Sequence, residues 1–392
     1  MGNNIPQGYK ATALGIIPQE WKTIRLKDCF SISAGGDVQK DCFSEAPSLQ
    51  YKYPIYSNSL FNHGLYGFTS HPRHKANSIT ITGRGALGHA EYREIDFDAI
   101  VRLLVLAPKI PLNGQYITEY INFRKPFFYE STGVPQLTAP QIANIQVLFP
   151  PLGEQRKIAE VLGVWDEAIE KQARLIEKLA LRKRGLMQRL LSAKLRLPGF
   201  SEPWKIHKLQ ELFTERNETN RTDLPLLSIT GDRGVILQTE SEKRDTSNDD
   251  KSKYKRIAKG DIGYNTMRMW QGRSALSGLE GIVSPAYTIV VPNTDVDGYY
   301  MSVLFKQPRL IYDFWTHSQG LVGDTLNCKY RDFGQVHICC PPLAEQKAIT
   351  EVLTAADREI ELAKEKLERL RRQKRGLMQQ LLSGKKRVKI NI

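Results

Sequence analysis

Through most of the chain, apolar residues come in short runs that stop at glycine or proline. "NSITITGRGALGHAEYR" (77–93) alternates apolar and polar positions, breaks at a Gly-rich stretch, and alternates again, which predicts strand, turn and strand. "DAIVRLLVLAP" (98–108) and "AYTIVVP" (286–292) are continuous apolar runs ending at proline and predict buried strands. In two places the period changes. Positions 158, 162, 165, 169, 172, 176, 179, 183, 186 and 190 step by four and three and are mostly Ile, Leu or Trp. Positions 349 to 381 repeat the same steps with Ile, Leu and Ala. Spacing of 3.5 sustained over nearly five heptads predicts two long helices with coiled-coil seams. Pro150-Pro151 and Pro341-Pro342 mark their starts. Roughly 36 residues at about 1.5 Å each give a rod of about 54 Å.

The two helical stretches are copies of one another. "KRGLMQRLLSAK" (183–194) and "KRGLMQQLLSGK" (374–385) agree at ten of twelve positions, 191 residues apart, and "PPLGEQRKIAEVL" (150–162) matches "PPLAEQKAITEVL" (341–353) at the same offset. Upstream, "EWKTIRLKDCF" (20–30) resembles "PWKIHKLQELF" (203–213), which makes Trp21 and Trp204 equivalent packing residues against the helix starts. A fainter echo links "GQYITEYINFRKP" (114–126) with "GYYMSVLFKQP" (298–308), each followed by a Gly-bearing turn, "STGVPQ" and "SQGLVG". The chain is therefore a divergent domain (1–149), a repeated helix (150–196), a second divergent domain (197–340) and the helix again (341–392). Each divergent segment is large enough for an α+β domain. Gly185 and Gly376 fall inside the helices at a cost of about 1 kcal/mol each, and their retention in both copies predicts a close packing contact there.

Charge orients the helices. Acids dominate their first halves (Glu154, Glu160, Asp166, Glu167 in one; Glu345, Glu351, Asp357, Glu359 in the other), and only bases occupy the second halves (Arg182 to Lys194; Arg371 to Lys386). Antiparallel pairing sets each basic end beside an acidic start. Single exposed pairs contribute less than about 1 kcal/mol, so their sum decides. The chain as a whole has 392 residues and a formal charge of +14, with 25% charged and 41% hydrophobic residues. That balance is globular, and the surplus of Lys and Arg points to a polyanion such as nucleic acid. Five cysteines without CxxC spacing argue against zinc or a disulfide framework and fit a reducing cytoplasm. "MGNNIPQGYKATALG" lacks the apolar core of a signal peptide, "MGNNIP" has no Ser or Thr at its sixth place for myristoylation, and no apolar run is long enough to span a membrane.

With the repeats, the two KRGLMQ blocks and "GDIGYNTMRMWQG…GLEGIVSPAYTIVVP" (260–292) in view, the chain resembles a specificity (S) subunit of a type I restriction–modification system over essentially its whole length. The resemblance implies two target-recognition domains alternating with two long helices that pair as an antiparallel coiled coil, with pseudo-two-fold symmetry. It implies a bipartite site on double-stranded DNA with a fixed unread spacer. The implied partners are two modification (methyltransferase) subunits and restriction (motor/nuclease) subunits; S-adenosylmethionine, ATP and Mg reside on those partners and none on this chain.

Candidate base-reading residues are polar side chains at turns. In the first domain these are Asn58 and Ser59 of "YSNS" and Arg84 of "TGRG"; in the second they are Asn265, Arg268, Gln271 and Arg273 of "YNTMRMWQGR". Arg matches the guanine O6/N7 edge and Asn or Gln the adenine N6/N7 edge. Each of them also has a plain reading as a structural turn residue. Trp270 is expected in the core, and Asp249-Asp250 in a mixed-charge loop, "ESEKRDTSNDDKSKYKR", rather than on a metal. No G-x-x-x-x-G-K-[ST] loop, methyltransferase Asn/Asp-Pro-Pro-aromatic run or H-E-x-x-H occurs, and "TGRGALG" is an imperfect cofactor-loop match with no helix pattern behind it. A chain with its own methyltransferase or nuclease activity is the alternative, but two repeats leave no room for a catalytic domain. A coiled-coil scaffold unrelated to DNA is weaker still, given the charge.

Overall fold

The computed structural model describes residues 5–124, 136–231, 233–241, 249–320 and 325–389. Residues 131–135 of "STGVPQ", 321–323 of "SQGLVG" and 242–248 of the mixed-charge loop lie outside the described residues. The two long helices run Leu152–Leu190 and Leu343–Leu381, beginning just after the paired prolines. The chain divides into two compact units, Met1–Arg174 with Lys364–Ile392, and Leu175–Ala363. Each unit thus takes one divergent segment, the first part of the helix that follows it and the last part of the other helix.

The apolar periodicity explains these memberships. In the first unit one core gathers Trp21, Phe30, Leu106, Tyr116 and Ile121 from the divergent segment, Ile158 and Leu162 from the first helix, and Leu381 and Leu382 from the end of the second. In the second unit Phe213, Tyr264, Phe305 and Phe333 pack with Ile349 and Leu353, and with Leu190 and Leu191. The helix residues in the two cores are repeat equivalents, 191 positions apart. All the seam positions named above are buried or half-buried. Burying an Ile or Leu side chain contributes about 1.5–3 kcal/mol, so a handful per helix segment is enough to hold it on its domain.

Both units contain a four-stranded antiparallel sheet of the same order. In the first it is Phe30–Ala34, Leu104–Pro108, Ser78–Ile81 and Ala90–Arg93. In the second it is Phe213–Glu215, Tyr287–Pro292, Ile262–Asn265 and Ser274–Leu276. A two-stranded ladder runs into each helix start: Lys22–Arg25 with Gln146–Phe149, and Lys205–Lys208 with His337–Cys340. The first unit adds a second sheet, in which Tyr53–Tyr56 pairs with Leu65–Thr69 and, in parallel, with Asp98–Ala99.

Three expectations need correction. The run 98–108 is not one strand: Asp98–Ala99 joins the second sheet and Leu104–Pro108 the first, with a turn at Val101 and Arg102 between them. Continuous hydrophobicity hid that turn because no Gly or Pro marks it. Gly185 and Gly376 make no close contact, since a Cβ on either would meet nothing within 4 Å. Trp270 is half-buried rather than core; its neighbour Met269 is the buried anchor.

A polar frame recurs at the head of each helix. Trp21 donates its indole N–H to Glu154 Oε2 at 2.9 Å, and Arg387 clasps the same carboxylate at 2.6 and 2.9 Å. Trp204 donates to Glu345 Oε2 at 3.2 Å, with Arg196 at 2.6 and 2.7 Å. The adjacent glutamines bond back to the proline carbonyls, Gln155 to Pro150 at 2.8 Å and Gln346 to Pro341 at 2.9 Å. Their Oε1 atoms accept the N–H of Asn113 and of Asp297, both at 2.9 Å. This is the physical content of the repeated "PPL-x-EQ". Both acids are buried, and the bidentate guanidinium satisfies a carboxylate that would otherwise be expensive to desolvate. Further along, Lys374 bonds Asp166 at 2.6 Å in the first unit and Lys183 bonds Asp357 at 2.5 Å in the second. Within each unit, then, the partners run in opposite chain directions along the two helix segments.

Candidate nucleic-acid interface

The Gly-rich turn of the first unit and the "YNTMRMWQGR" loop of the second are the same connection. Each joins the third and fourth strands of its unit's four-stranded sheet. In the first unit the turn is stiffened from inside: Thr82 Oγ1 accepts the His89 N–H at 2.9 Å and donates to Ala86 O at 2.5 Å. Arg84 is exposed at its tip, with one N–H reaching Gln136 Oε1 at 3.2 Å. Asn58 is half-buried. Its Oδ1 accepts the Gly83 N–H at 2.8 Å and its Nδ2 donates to Val101 O at 2.6 Å. Two of its four hydrogen-bonding positions are thus committed to backbone, so Asn58 ties three turns together as much as it faces outward. Ser59 is exposed, and its Oγ accepts the Phe61 N–H at 3.1 Å.

In the second unit all four candidates converge. Asn265, Arg268, Gln271 and Arg273 line one pocket of about 290 Å³, together with Ile229, Thr230 and Tyr287. The loop is shaped by a short 3-10 turn, Met269–Gln271, that ends at Gly272 with a φ of 71°, and Met269 pins it to the core. Asn265 Oδ1 accepts the Met267 N–H at 3.0 Å, and Trp270 donates its indole N–H to Met267 O at 2.9 Å. Gln271 and Arg273 are exposed and Arg268 half-exposed. A Cβ on Gly231 would lie 2.7 Å from Arg273 Nη1, so the missing side chain is what lets that guanidinium lie against the backbone.

Tyr287 and Gly231 were not legible as site residues. Tyr287 is the register partner of Asn265 across the sheet; burial pushes its hydroxyl above the usual range, opposed by a hydrogen bond with Asn265 and by the nearby Arg273. Only strand pairing brings them together, and a lone tyrosine opening an apolar run carries no signal of its own. Chemically the pocket offers two guanidinium forks and two carboxamides in a mainly polar lining, donors and acceptors suited to purine edges. Among the described residues no group of three or more His, Cys, Asp and Glu could hold a metal ion, and no helix is long and apolar enough to cross a membrane.

Residues 18–180 match the family model described as type I restriction modification DNA specificity domain. A putative type I restriction enzyme specificity subunit of Methanocaldococcus jannaschii is 25% identical over 98% of this chain and 97% of its own length. A putative type I specificity subunit of Mycoplasma pneumoniae is 33% identical over 37% of this chain, which spans only 39% of that relative's length. Among solved structures, the S subunit of a type I restriction–modification system from M. genitalium superposes with a TM-score of 0.59 at 14% identity, covering 97% of both chains. A chain from a study of type I complex assembly and conformational transition gives 0.58 at 16% identity over 94% of this chain and 99% of its own. At these identities the structural likeness speaks for the fold.

Proposed function

We propose, from the premise that this chain belongs to the type I restriction–modification specificity-subunit family, that it is the non-catalytic subunit that reads DNA for such a complex. Each unit contacts one part of a bipartite site, the first through the Arg84 turn and the second through the Asn265–Arg273 pocket. The long helices pair as an antiparallel coiled coil about an approximate two-fold axis and hold the two parts of the site at a fixed spacing. Two modification subunits dock, one per repeat, and restriction subunits join them. S-adenosylmethionine, ATP and Mg belong to those partners.

The observation that carries this reading is the convergence of Asn265, Arg268, Gln271 and Arg273 on one pocket, at the connection that in the other unit bears Arg84. The duplicated polar frame supports the two-fold arrangement. Methylation mapped in cells that express the full chain with its modification partner tests it. The expected result is methylation at one bipartite sequence that needs both proteins, with exchange of residues 1–149 for another domain of the kind altering one half-site alone. Methyl transfer by the isolated chain, or a single exchange that altered both half-sites, would overturn it.

A further inference from the structure

The turn Ile100–Leu103 is built from residues that resist its shape. Val101 and Arg102 have φ of 55° and 57°, the left-handed region that a β-branched residue adopts least readily of all. Leu103 N–H donates to Ile100 O at 3.0 Å, closing a turn with positive φ at both central positions, a shape usually met by Asn-Gly. The surroundings leave the backbone no alternative. Val101 N–H donates to Gly36 O and Arg102 N–H to Gly35 O, both at 3.0 Å, and Gly35 N–H donates to Leu103 O at 2.7 Å. Asn58 Nδ2 takes Val101 O at 2.6 Å. A Cβ on Gly35 would stand 2.6 Å from the Ala99 carbonyl, so the segment holding the turn rests on bare backbone.

Neither core packing nor an ion pair accounts for this conformation. Val101 is 52% exposed. Arg102 is exposed too, and its guanidinium has no hydrogen bond or ion pair among the described residues. What the over-determined backbone provides is a fixed point of departure for Arg102, and strain held in this way concentrates at working sites. That point lies beside the Arg84 turn: a Cβ on Gly83 would be 3.2 Å from Arg102 O, and Asn58 bonds both turns. A phosphate contact tolerates a flexible cation, whereas a bidentate approach to a base edge requires a set direction.

We propose that Arg102 is a specificity-determining residue of the first unit, reading a base edge alongside Arg84. The inference rests on the DNA-recognition reading above. The test uses the full chain assembled with its modification partner on a library of randomised target DNA, sequenced for methylation at several salt concentrations. Arg102→Ala is expected to flatten the preference at one base pair by about 5- to 150-fold, within the half-site altered by exchange of the first domain, with unchanged thermal stability. Arg102→Lys should not restore it. Val101→Gly, which suits the positive φ and keeps the hydrogen bonds that hold the turn, should leave the preference at that base pair in place. Unchanged base frequencies for Arg102→Ala, or uniform weakening with a shallower salt dependence, overturn the inference. Wild-type complex without any sequence preference would instead overturn the recognition reading itself.

Discussion

The two units hold their helices with one frame and attach their domains to it differently. Glu154 with Trp21 and Arg387, and Glu345 with Trp204 and Arg196, are the same arrangement built twice. The lysine–aspartate pairs are equivalent as well, but the third partner has changed. In the first unit Glu119, from the helix Gly114–Arg124, accepts from Lys374 at 2.9 Å. In the second, Tyr299, from the helix Gly298–Leu304, donates its hydroxyl to Asp357 at 2.6 Å. Burial pushes the Glu119 carboxyl above its ordinary value, with the Lys374 ammonium working against it. Burial and Asp357 together push the Tyr299 hydroxyl up. The acid and the arginine of the frame thus come from the repeated helical segments and the tryptophan from each domain, while the lysine–aspartate pair is met by whatever polar group the domain supplies. The two domains have diverged around a frame that keeps its tryptophan, its acid and its arginine.

The largest expected effect comes from breaking the frame itself. Glu154→Ala leaves the Trp21 indole N–H, fully buried, without its acceptor and the Arg387 guanidinium with Glu20 alone. Arg387 is partly exposed and can turn to water, so the loss should be about 3 kcal/mol rather than more. Glu345→Ala should cost less, because Trp204 is only half-buried and its bond to Glu345 is longer, 3.2 Å. Denaturant unfolding of the two variants checks this. A loss below about 1 kcal/mol in either would mean that apolar packing alone holds that unit's helices.

Next in size are effects on reading rather than folding, and these should separate the units. Arg268→Ala and Arg84→Ala are each expected to relax base discrimination by about 1–3 kcal/mol, at different half-sites. Uniform weakening with a reduced salt slope would mark either as a phosphate contact. Gly231→Ala sharpens the comparison. The added methyl meets only the mobile end of Arg273, so stability should hold within about 0.5 kcal/mol while discrimination in the second half-site changes. Methylation of randomised DNA by the assembled complex reads all three.

How much of this the sequence disclosed follows from where the information lies. The long helices, the duplicated "PPL-x-EQ" and the equivalence of Trp21 with Trp204 are local or repeated patterns, and they were legible. So were the tips of the two sheet-connecting turns, because Gly beside Arg, or Asn near Arg, marks a turn before any tertiary contact forms. Tyr287 became part of a site only through strand register, and Gly231 through a close approach invisible without the fold. The turn at Val101-Arg102 was hidden for a stronger reason. Its conformation contradicts the local preference of its residues and is imposed by Gly35, Gly36 and Asn58, which are distant in sequence.

The smallest effect tests the two copies where they differ by a single methyl. Of the two mismatches between the KRGLMQ blocks, one sets Ala193 against Gly384. Both residues end their helices in the left-handed region, with φ of 57° and 73°. The closures are alike: Leu195 N–H donates to Arg189 O at 3.0 Å, and Lys386 N–H to Gln380 O at 3.1 Å. Glycine is the favoured residue there because a Cβ is strained at positive φ. Ala193→Gly should therefore stabilise the second unit by up to about 1 kcal/mol, or a few degrees in its unfolding midpoint. The reverse change is not symmetrical. A Cβ on Gly384 would stand 2.5 Å from Pro18 Cδ and 3.2 Å from the Trp21 ring, so Gly384→Ala combines backbone strain with overpacking and should cost about 2 kcal/mol. Paired thermal unfolding of the two variants decides the matter. If Ala193→Gly were neutral or destabilising, the alanine would have to be making a contact in the second unit that offsets its strain, and the two helix ends would differ by more than a methyl.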